Sequence, residues 1–401
     1  MANSKDEPTA TDAASLICLY KLAVLLLAVL TLELVPAFSE ADFHAASRRW
    51  PMDGNTVDWT TQVAAWDGSH YLYLAEVGYE RGSPSCAFYP LWPLLIRLGK
   101  HLTLGDPVVA GLILANGFSI AGLWLFYRLV AGRHGAEIGF LALAFLLAFP
   151  GAIFFSLIYT EPLFFLLTMV FFLGLFQEKH GWVAITGFLL PLTRAVGVFL
   201  LLPLAWRALE KAWHDWQAAM PLQGKSWKRL LRLVLVRREV WAMGAVLAGY
   251  AAFFGIMYGS TGNAFEAFAA QKHYANQPSI GNIVNVAGFA RAFIHIDGLH
   301  TVTGSVIDRA LFVLFLFCLP AVWRLDRLYF WYALGTGLVP AMSNWFFSYN
   351  RVFILCFPVF IVLARKLRGA ENLWLRWLVV VLAGTVQVIF LVRYLNHFWA
   401  G

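Results

Sequence analysis

A carboxylate, an imidazole and several aromatic rings stand close together in the first quarter of the chain. Trp66 to Tyr73 contains Asp67, His70 and Tyr71, and a second aromatic group that includes Tyr89 follows soon after. A partly desolvated carboxylate can act as a general base and accept a proton from a substrate hydroxyl. The same residues could also form an aromatic belt with a solvated aspartate at a membrane surface. The residue types alone leave both interpretations open.

Further charged residues interrupt or border apolar stretches. Glu161 and Arg194 lie within such stretches, and Arg351 begins another. Ionisable residues in apolar surroundings usually face a cavity or each other, and the planar donors of arginine suit a phosphate. An ion pair that only locks helices, or an arginine that snorkels to the interface, is the competing interpretation. Gln271 and Lys272 lie in a long polar loop, where a solvated patch is the default.

Signatures of metal and nucleotide sites are missing from the sequence. His295, Asp297 and His300 do not have the spacing of a zinc site, and the four cysteines fit neither a metal site nor a disulfide framework. There is no Walker loop, dinucleotide fingerprint, nucleophile elbow or HExxH motif. We therefore expect no metal and no cofactor.

The composition indicates a membrane protein. Of 401 residues, 60% are hydrophobic and only 13% are charged, too few to cover a soluble protein of this length. Apolar runs at 16–34, 108–130, 138–157 and 377–392 are each close to the roughly 20 residues that cross a bilayer. One run could be a signal peptide, but a series cannot. The sequence predicts an all-α polytopic membrane protein with roughly ten or eleven spans.

The distribution of basic residues predicts the topology. A disordered tail over 1–14 precedes a single transmembrane domain over 15–401. Much of the net charge of +7 lies in a basic segment at about 207–239, which the positive-inside rule places in the cytoplasm. Loops at about 39–106 and 259–305 are then external. Such charge reflects topology and anionic lipid contact, and we expect no nucleic-acid partner.

Two segments of this topology are unusual. Residues 88–102 have leucines on one helical face and basic residues on another, which predicts a short helix in the membrane interface. Residues 182–208 must run from the cytoplasmic to the external side and back. The helix can break for this return at Pro191 to Arg194, followed by Gly197. Two half-helices meeting near Arg194 place the charged candidates named above at or just beneath the external face.

Several of these stretches resemble one enzyme family. The motifs are Trp66-Asp67-Gly68-x-His70-Tyr71-Leu72, Gly78-Tyr79, Ala87-Phe88-Tyr89-Pro90-Leu91-Trp92-Pro93-Leu94, Tyr159-Thr160-Glu161, Leu192-Thr193-Arg194-x-x-Gly197, Ala267-Phe268-x-x-Gln271 and Arg351 followed by Phe357-Pro358-x-Phe360-x-x-x-Ala364. They resemble the second mannosyltransferase of GPI-anchor assembly and its bacterial relatives, the PIG-V type. That family belongs to the GT-C superfamily, so the resemblance implies a GT-C-like helical bundle with an external first loop that carries interfacial helices.

The resemblance also implies a reaction. One sugar, typically mannose, would pass with inversion from a polyprenyl- or dolichyl-phosphate carrier to an acceptor outside the cytoplasm. Asp67 occupies the place of the family's catalytic base, and cations would stabilise the leaving phosphate. The substrate-binding residues would be His70, Tyr71, Tyr89, Glu161, Arg194, Gln271, Lys272 and Arg351.

The partners implied are a lipid-linked sugar donor, a glycolipid, glycan or protein acceptor, and membrane lipids. Lys272-His273-Tyr274 stands where many relatives have a tryptophan, and the Asp67 motif has one aspartate rather than a DxD pair. No retention signal for the endoplasmic reticulum is evident, which favours a bacterial inner membrane over that compartment. The main alternative is a transporter or lipid flippase. Transporters often have paired broken helices, whereas the sequence predicts only one break.

Overall fold

Helices build the whole of the described structure. The computed structural model describes residues 8–35, 39–46, 49–51, 57–223, 226–274 and 277–401, and these contain no β-strand. The α-helices are α1 (Ala10–Leu34), α2 (Glu40–Ala46), α3 (Trp59–Val63), α4 (Asp67–Glu76), α5 (Leu91–Gly99), α6 (Pro107–His134), α7 (Ala136–Ala148), α8 (Glu161–Phe176), α9 (His180–Leu189), α10 (Leu201–Gln223), α11 (Trp227–Leu235), α12 (Arg238–Thr261), α13 (Glu266–Ala269), α14 (Val286–Ile294), α15 (Val306–Leu325), α16 (Arg327–Ala333), α17 (Val339–Asn344), α18 (Tyr349–Phe353), α19 (Pro358–Lys366) and α20 (Leu373–Leu395). The predicted all-α class is confirmed.

Short turns of other helix types join or extend these elements. A π-helical turn at Leu334–Leu338 joins α16 to α17. The 3-10 turns are Pro84–Ala87, Lys100–Leu102, Pro150–Phe155, Ala195–Leu200, Ala270–His273, Ile280–Val284 and Ala370–Asn372.

Five helices in the described part of the chain are long and apolar enough to cross a membrane. They are α1, α6, α12, α15 and α20, with 20 to 28 residues and mean hydropathies of 1.8 to 2.4. At 1.5 Å per residue, such helices match a hydrocarbon core of about 30 Å. The protein is therefore an integral membrane protein. Other predicted spans consist of shorter pieces, such as α7 and α8, or α16, the π turn and α17 in sequence.

The core lies where α6, α7, α8 and α19 pack against each other. Aromatic rings fill much of it: Phe126, Phe164 and Phe171 are fully buried. Such rings contribute large apolar areas and pair edge to face. This packing fixes α8, which begins at the candidate residue Glu161.

The predicted disordered tail is corrected at its C-terminal end. Helix α1 begins at Ala10, so Ala10 to Ala14 are helical, while residues 1–7 lie outside the described residues. Thr9 and Asp12 form a capping box: Asp12 N donates to Thr9 Oγ1 at 3.2 Å, and Thr9 N donates to the Asp12 carboxylate at 2.7 Å. Two otherwise unpaired backbone donors are thereby satisfied, which starts the helix inside a polar segment.

The basic segment at 207–239, predicted as a loop, is helical. It is formed by most of α10, by α11 and by the first residues of α12. Leu204, Ala208 and Ala212 recur every four residues along α10 and are almost fully buried. That spacing gives α10 one packed face and leaves its charged side chains on the other. The many basic residues of this segment indicated a loop, and the helical spacing of its apolar residues was missed.

The predicted hairpin near Arg194 is confirmed. After α8, the chain turns at Glu178 and enters α9, which ends just before Arg194. Arg194 Nη1 lies 2.6 Å from Glu161 Oε1, at the first residue of α8. Helix α10 then runs back to the C-terminal end of α8, where Lys211 Nζ lies 2.7 Å from Glu178 Oε1. The chain therefore travels the length of α8 and comes back, as two half-helices meeting near Arg194 require.

Candidate active site

Four charged side chains form a continuous ion-pair network, called here the charge network: Asp67, Arg351, Glu161 and Arg194. Arg351 Nη1 lies 2.6 Å from Asp67 Oδ2, and Arg351 Nε lies 2.9 Å from Glu161 Oε1. Arg194 Nη1 lies 2.6 Å from that same Glu161 oxygen. Residues from distant parts of the chain thus meet, as expected for ionisable groups in apolar surroundings.

Burial is graded along the charge network. The side chain of Glu161 is 0% exposed and that of Arg351 is 7% exposed, whereas Arg194 and Asp67 are 15% and 22% exposed. Two carboxylates and two guanidiniums balance each other, which offsets the large cost of removing charges from water. Asp67 and Arg194 are the open ends of the network, so a substrate would meet these two residues first.

Two carboxylate oxygens of the network keep acceptor capacity. Glu161 Oε2 is buried and has no hydrogen-bond partner in the described part of the chain. Asp67 is held through Oδ2 alone, and no described residue donates a hydrogen bond to its Oδ1. One oxygen of Asp67 is therefore fixed in place while the other is available to accept a proton.

Asp67 is positioned by the start of α4. It is the first residue of that helix, where the helix dipole favours a negative charge. The preceding Trp66 has a φ of 59°, which is uncommon for a residue with a side chain. Trp66 N donates to Ala46 O at 2.7 Å, and its ring packs edge-on against Trp399 at 5.1 Å. These contacts hold the strained turn that directs Asp67 towards Arg351.

Glu161 is placed by the turn between the 3-10 helix Pro150–Phe155 and α8. Its neighbour Thr160 accepts a hydrogen bond from Arg194 Nη1 at 2.9 Å and lies 3.4 Å from the Tyr71 hydroxyl. The Tyr159 ring lies under the Arg351 guanidinium, 4.7 Å from ring centroid to Cζ, in a cation–π contact. Sequence reasoning named neither Thr160 nor Tyr159 as a site residue, although both belong to the Tyr159-Thr160-Glu161 motif.

The break between α9 and the following 3-10 helix brings Arg194 to Glu161. Thr193 N and Arg194 N both donate to Leu190 O, at 3.0 and 3.1 Å, so the chain turns tightly here. A Cβ on Gly197 would lie 2.7 Å from Pro191 N, closer than real Cβ contacts allow. The turn therefore depends on glycine at this position.

Arg351 lies in the short helix α18, after a stretch of left-handed backbone. Trp345, Phe346 and Ser348 have φ values of 53°, 66° and 55°. Asn350 N donates to Asp308 Oδ1 of α15 at 2.7 Å. Strained residues persist where their surroundings fix them, and they often cluster at functional sites. Asp308 thus anchors the turn that presents Arg351.

His70 and Tyr89 lie in aromatic clusters beside the charge network. His70 Nδ1 is 2.9 Å from Ser85 Oγ, and its ring stacks on Phe88 at 4.7 Å. Tyr89 stacks on Phe253 of α12 at 4.4 Å. Tyr71, next to His70, contacts the charge network through Thr160. His70 packs instead against Phe88, and Tyr89 against Phe253.

Gln271 and Lys272 lie in the segment after α12, which docks against the loop between α4 and α5. They belong to the 3-10 turn Ala270–His273, and Lys272 is exposed, with no ion pair to the described charge network. Glu266 Oε1 in the same loop accepts a hydrogen bond from Gly82 N at 2.7 Å, which lowers the pKa of that carboxyl group. A hydrogen bond therefore joins the two loops, and the Lys272 side chain is exposed to solvent beside them.

His295 and Asp297 have surroundings different from those of His300. His295 Nε2 lies 3.0 Å from Asp297 Oδ1 on the surface, whereas the His300 ring stacks on Phe390 at 4.2 Å. Among the residues that the structure describes, no group of three or more His, Cys, Asp or Glu side chains is placed to hold a metal ion.

Comparison with known proteins gives the family. Residues 16–237, more than half of the chain, match the family model described as Mannosyltransferase (PIG-V). The chain belongs to this family. The matched range contains Asp67, Glu161 and Arg194, whereas Arg351 lies beyond it. Its family is thus one described by mannosyl transfer, and the long apolar helices make this member an integral membrane protein.

The comparison with solved structures gives a more distant likeness. The crystal structure of the Archaeoglobus fulgidus oligosaccharyltransferase, tethered to an acceptor peptide with an NVT sequon, is similar with a TM-score of 0.43 and 13% identity. The match covers 95% of this chain and 55% of that one, so the chain spans about half the length of this relative. No curated protein matches the chain significantly.

Proposed function

We propose that this PIG-V family protein transfers mannose from a polyprenyl- or dolichyl-phosphate carrier to an acceptor hydroxyl on the external side of its membrane, with inversion. Asp67 would be the general base. The observation that carries this proposal is the asymmetric hold on Asp67: Arg351 fixes Oδ2 at 2.6 Å, and no described residue occupies Oδ1. A base needs this combination of a fixed direction and a free oxygen.

The proposed step is a single displacement. Asp67 Oδ1 accepts the proton of the acceptor hydroxyl as the acceptor oxygen bonds to the anomeric carbon. The bond between that carbon and the phosphate oxygen breaks, and its electron pair leaves with the lipid phosphate. Attack from the face opposite the leaving group inverts the anomeric configuration. Atoms and charge balance without a nucleotide, a metal or a further cofactor.

Arg194 is the best-placed cation for the leaving phosphate. It is the more exposed of the two arginines, and Glu161 and Thr160 both hold the same nitrogen, Nη1, so other guanidinium donors stay available. Donors aimed at developing charge in a partly desolvated site are worth several kcal/mol of barrier, about 3 to 4 for one oxyanion donor. Arg351 is almost buried between two carboxylates, and we assign it to orienting Asp67.

The remaining candidates have supporting roles in this proposal. His70, Tyr71 and Tyr89 would line the path of the sugar or acceptor, and Gln271 with Lys272 would contribute from the docked loop. We further propose a bacterial inner membrane as the location, with the acceptor a glycolipid, a glycan or a protein. The lipid-phosphate carrier fits a site at headgroup level, since the first external loop carries the short amphipathic helix α5.

Transport of a lipid-linked sugar is the second candidate, and one observation favours it. The turn at Trp345, between α17 and α18, brings Arg351 to the same Glu161 that Arg194 contacts, so two turns of the chain converge on one buried carboxylate. Paired broken helices around a central site are typical of transporters. Covalent product formation by the purified protein separates the two functions, because a transporter forms none.

The test is a transfer assay with purified protein, polyprenyl-phosphate mannose and a panel of alkyl glycoside acceptors. Asp67→Asn is expected to lower turnover by about 10²- to 10⁴-fold, because the base is lost while the shape is kept. Asp58→Asn is the matched control in the same loop. Asp58 caps α3 through Thr60 N and Thr61 N, and asparagine caps equally well. Equal turnover of Asp67→Asn and wild type would remove Asp67 from the mechanism.

A further inference from the structure

A cavity of about 400 Å³ lies apart from the charge network, between the second external loop and the turn at Trp345. Its volume is in the range of pockets that bind small ligands. The side chains that line it are Gln277, Asn282, His295, Thr303, Arg309 and Trp345. We call it the outer cavity.

The charges around the outer cavity are already paired. His295 Nε2 lies 3.0 Å from Asp297 Oδ1, and Thr303 Oγ1 donates to Asp297 Oδ2 at 2.9 Å. Arg309 donates to Phe293 O at 3.0 Å, to Ser305 O at 2.8 Å and to Ala292 O. The Asp297 carboxylate acts on the Arg309 guanidinium from a distance with the opposite charge, so the cavity offers little net charge. An anionic ligand therefore gains little here, in contrast to the charge network.

The remaining lining suits a neutral ligand rich in hydroxyl groups. The Gln277 amide combines a donor and an acceptor, and the Asn282 amide, whose NH₂ group donates to Gln277 O and Ser343 O, offers its oxygen as an acceptor; both suit hydroxyls, which give and take hydrogen bonds. The Trp345 indole adds a flat apolar surface with one polar edge, against which the C–H face of a sugar ring can pack. Pockets with a few convergent polar groups and an aromatic wall bind such ligands.

The lining is held in place before any ligand arrives. Asn282 Nδ2 donates to Ser343 O at 2.9 Å, and Ser279 N donates to the same carbonyl at 3.3 Å. Asn282 is thus fixed through its NH₂ group, and no described residue donates a hydrogen bond to its side-chain oxygen. Trp345 has a left-handed φ of 53°, a strained conformation that its surroundings must stabilise. A preorganised lining lowers the entropy cost of binding.

One connection along the chain and one through a hydrogen bond join the outer cavity to the charge network. Trp345 precedes Arg351 by six residues on the same short turn, and Arg351 holds Asp67. Arg309 in the cavity wall follows Asp308, whose Oδ1 anchors Asn350 N at 2.7 Å. The segment that presents the base-orienting arginine is therefore also the wall of the outer cavity.

We infer that the outer cavity binds the neutral sugar headgroup of the acceptor. This inference rests on the proposed transferase function. It divides the two substrates by charge: the lipid phosphate of the donor goes to the arginines of the charge network, and the uncharged acceptor sugar goes to the amides and indole of the outer cavity. An acceptor seated there lies against the same turn that positions Arg351 and, through it, Asp67.

Binding is tested by saturation-transfer difference NMR on the protein in lipid nanodiscs, so that glycoside detergents do not compete. The probes are methyl α-D-mannoside, methyl α-D-glucoside, N-acetylglucosamine and myo-inositol. At least one is expected to give transfer signals that fall about fivefold or more in Trp345→Leu and in Asn282→Ala. Trp241→Leu is the control, since Trp241 is 77% exposed on α12. Absence of signal for all four probes, or signals in both cavity variants that equal those of the wild type, would overturn the inference.

A kinetic test separates failure of this inference from failure of the proposed function. With octyl α-D-mannoside as the acceptor probe, Trp345→Leu is expected to raise the acceptor KM about tenfold and leave the donor KM unchanged. Thermal unfolding identifies a misfolded variant, and Trp345→Tyr, which keeps an aromatic wall, should recover most of the loss. If Asp67→Asn abolishes transfer while Trp345→Leu keeps a normal acceptor KM, the acceptor site lies elsewhere and the transferase stands. If Asp67→Asn transfers normally, the proposed base is wrong, whatever the cavity variants do.

Discussion

Helix α8 has one glutamate at its first residue and another just beyond its last, and the two form very different ion pairs. Glu161 begins the helix, is fully buried and meets two arginines; Glu178 follows its last turn, is 56% exposed and lies 2.7 Å from Lys211 and 3.9 Å from Arg207. The same α9–α10 hairpin supplies partners to both ends. An exposed pair contributes little to stability, whereas a buried one costs several kcal/mol to desolvate. A buried network that stability alone does not explain points to function at the Glu161 end.

The largest expected effect is the loss of Glu161. Glu161→Ala leaves the Arg351 and Arg194 guanidiniums buried without their shared carboxylate, which is expected to destabilise the fold by about 3 to 5 kcal/mol. Glu178→Ala, the matched change at the other end of α8, is expected to cost less than about 1 kcal/mol. Thermal unfolding of both variants in the same nanodiscs measures the difference. Equal destabilisation by the two changes would contradict the contrast between the ends of α8.

A smaller effect is expected at the hairpin tip. Gly197→Ala places a Cβ against the backbone of Leu190 and Pro191, at 2.7 to 3.0 Å, so the turn that carries Arg194 must shift. Overpacking of this kind costs about 1 to 3 kcal/mol. Gly244→Ala in α12 is the control, because a Cβ there meets nothing within 4 Å. We expect Gly197→Ala to lower both transfer activity and stability. Gly244→Ala should lower neither. A Gly197→Ala protein with normal activity would show that the reaction tolerates a displaced Arg194.

The smallest expected effect is the pH dependence of the Glu178 pair. The hydrogen bond and charge of Lys211 lower the pKa of Glu178 from its usual 4.5. The pair therefore stabilises the fold above pH 4.5, and this contribution disappears as the pH falls through the lowered pKa. Exposure and salt keep it below about 1 kcal/mol. The free energy of unfolding of the wild type should fall between pH 6 and pH 3, and this fall should be absent in Glu178→Gln and weaker in 1 M salt. A pH profile of Glu178→Gln identical to that of the wild type would refute this assignment.

The sequence predicted the Arg194 hairpin because topology and local chemistry agreed there. The positive-inside rule required an even number of crossings, and Pro191 with Gly197 supplied the break. The π turn between α16 and α17 was not predicted, because Gly335 and Gly337 look like ordinary small residues of a membrane helix. A Cβ on Gly335 would lie 2.5 Å from Phe199 Cβ, a close approach that no local pattern reveals. That turn is therefore tied to long-range packing rather than to local propensity.

The sequence indicated Asp67, Glu161, Arg194 and Arg351 as separate candidates, and the structure joins all four in one ion-pair network. A Glu161–Arg194 ion pair was among the interpretations, whereas the contact of Asp67 with Arg351 was not. Which carboxylate meets which arginine depends on how distant segments pack, and Asp67 and Arg351 are 284 residues apart. Thr160 was missed because an uncharged hydroxyl carries no such signal.

The central claim is that Arg351 acts on the reaction through Asp67, which a double-mutant cycle tests most directly. Single-turnover transfer at saturating donor would be compared for wild type, Asp67→Asn, Arg351→Lys and the double variant. Residues that act as one unit give non-additive losses, so the double variant should be no slower than Asp67→Asn alone. Losses that multiply would contradict the account, because Arg351 would then act independently of the base.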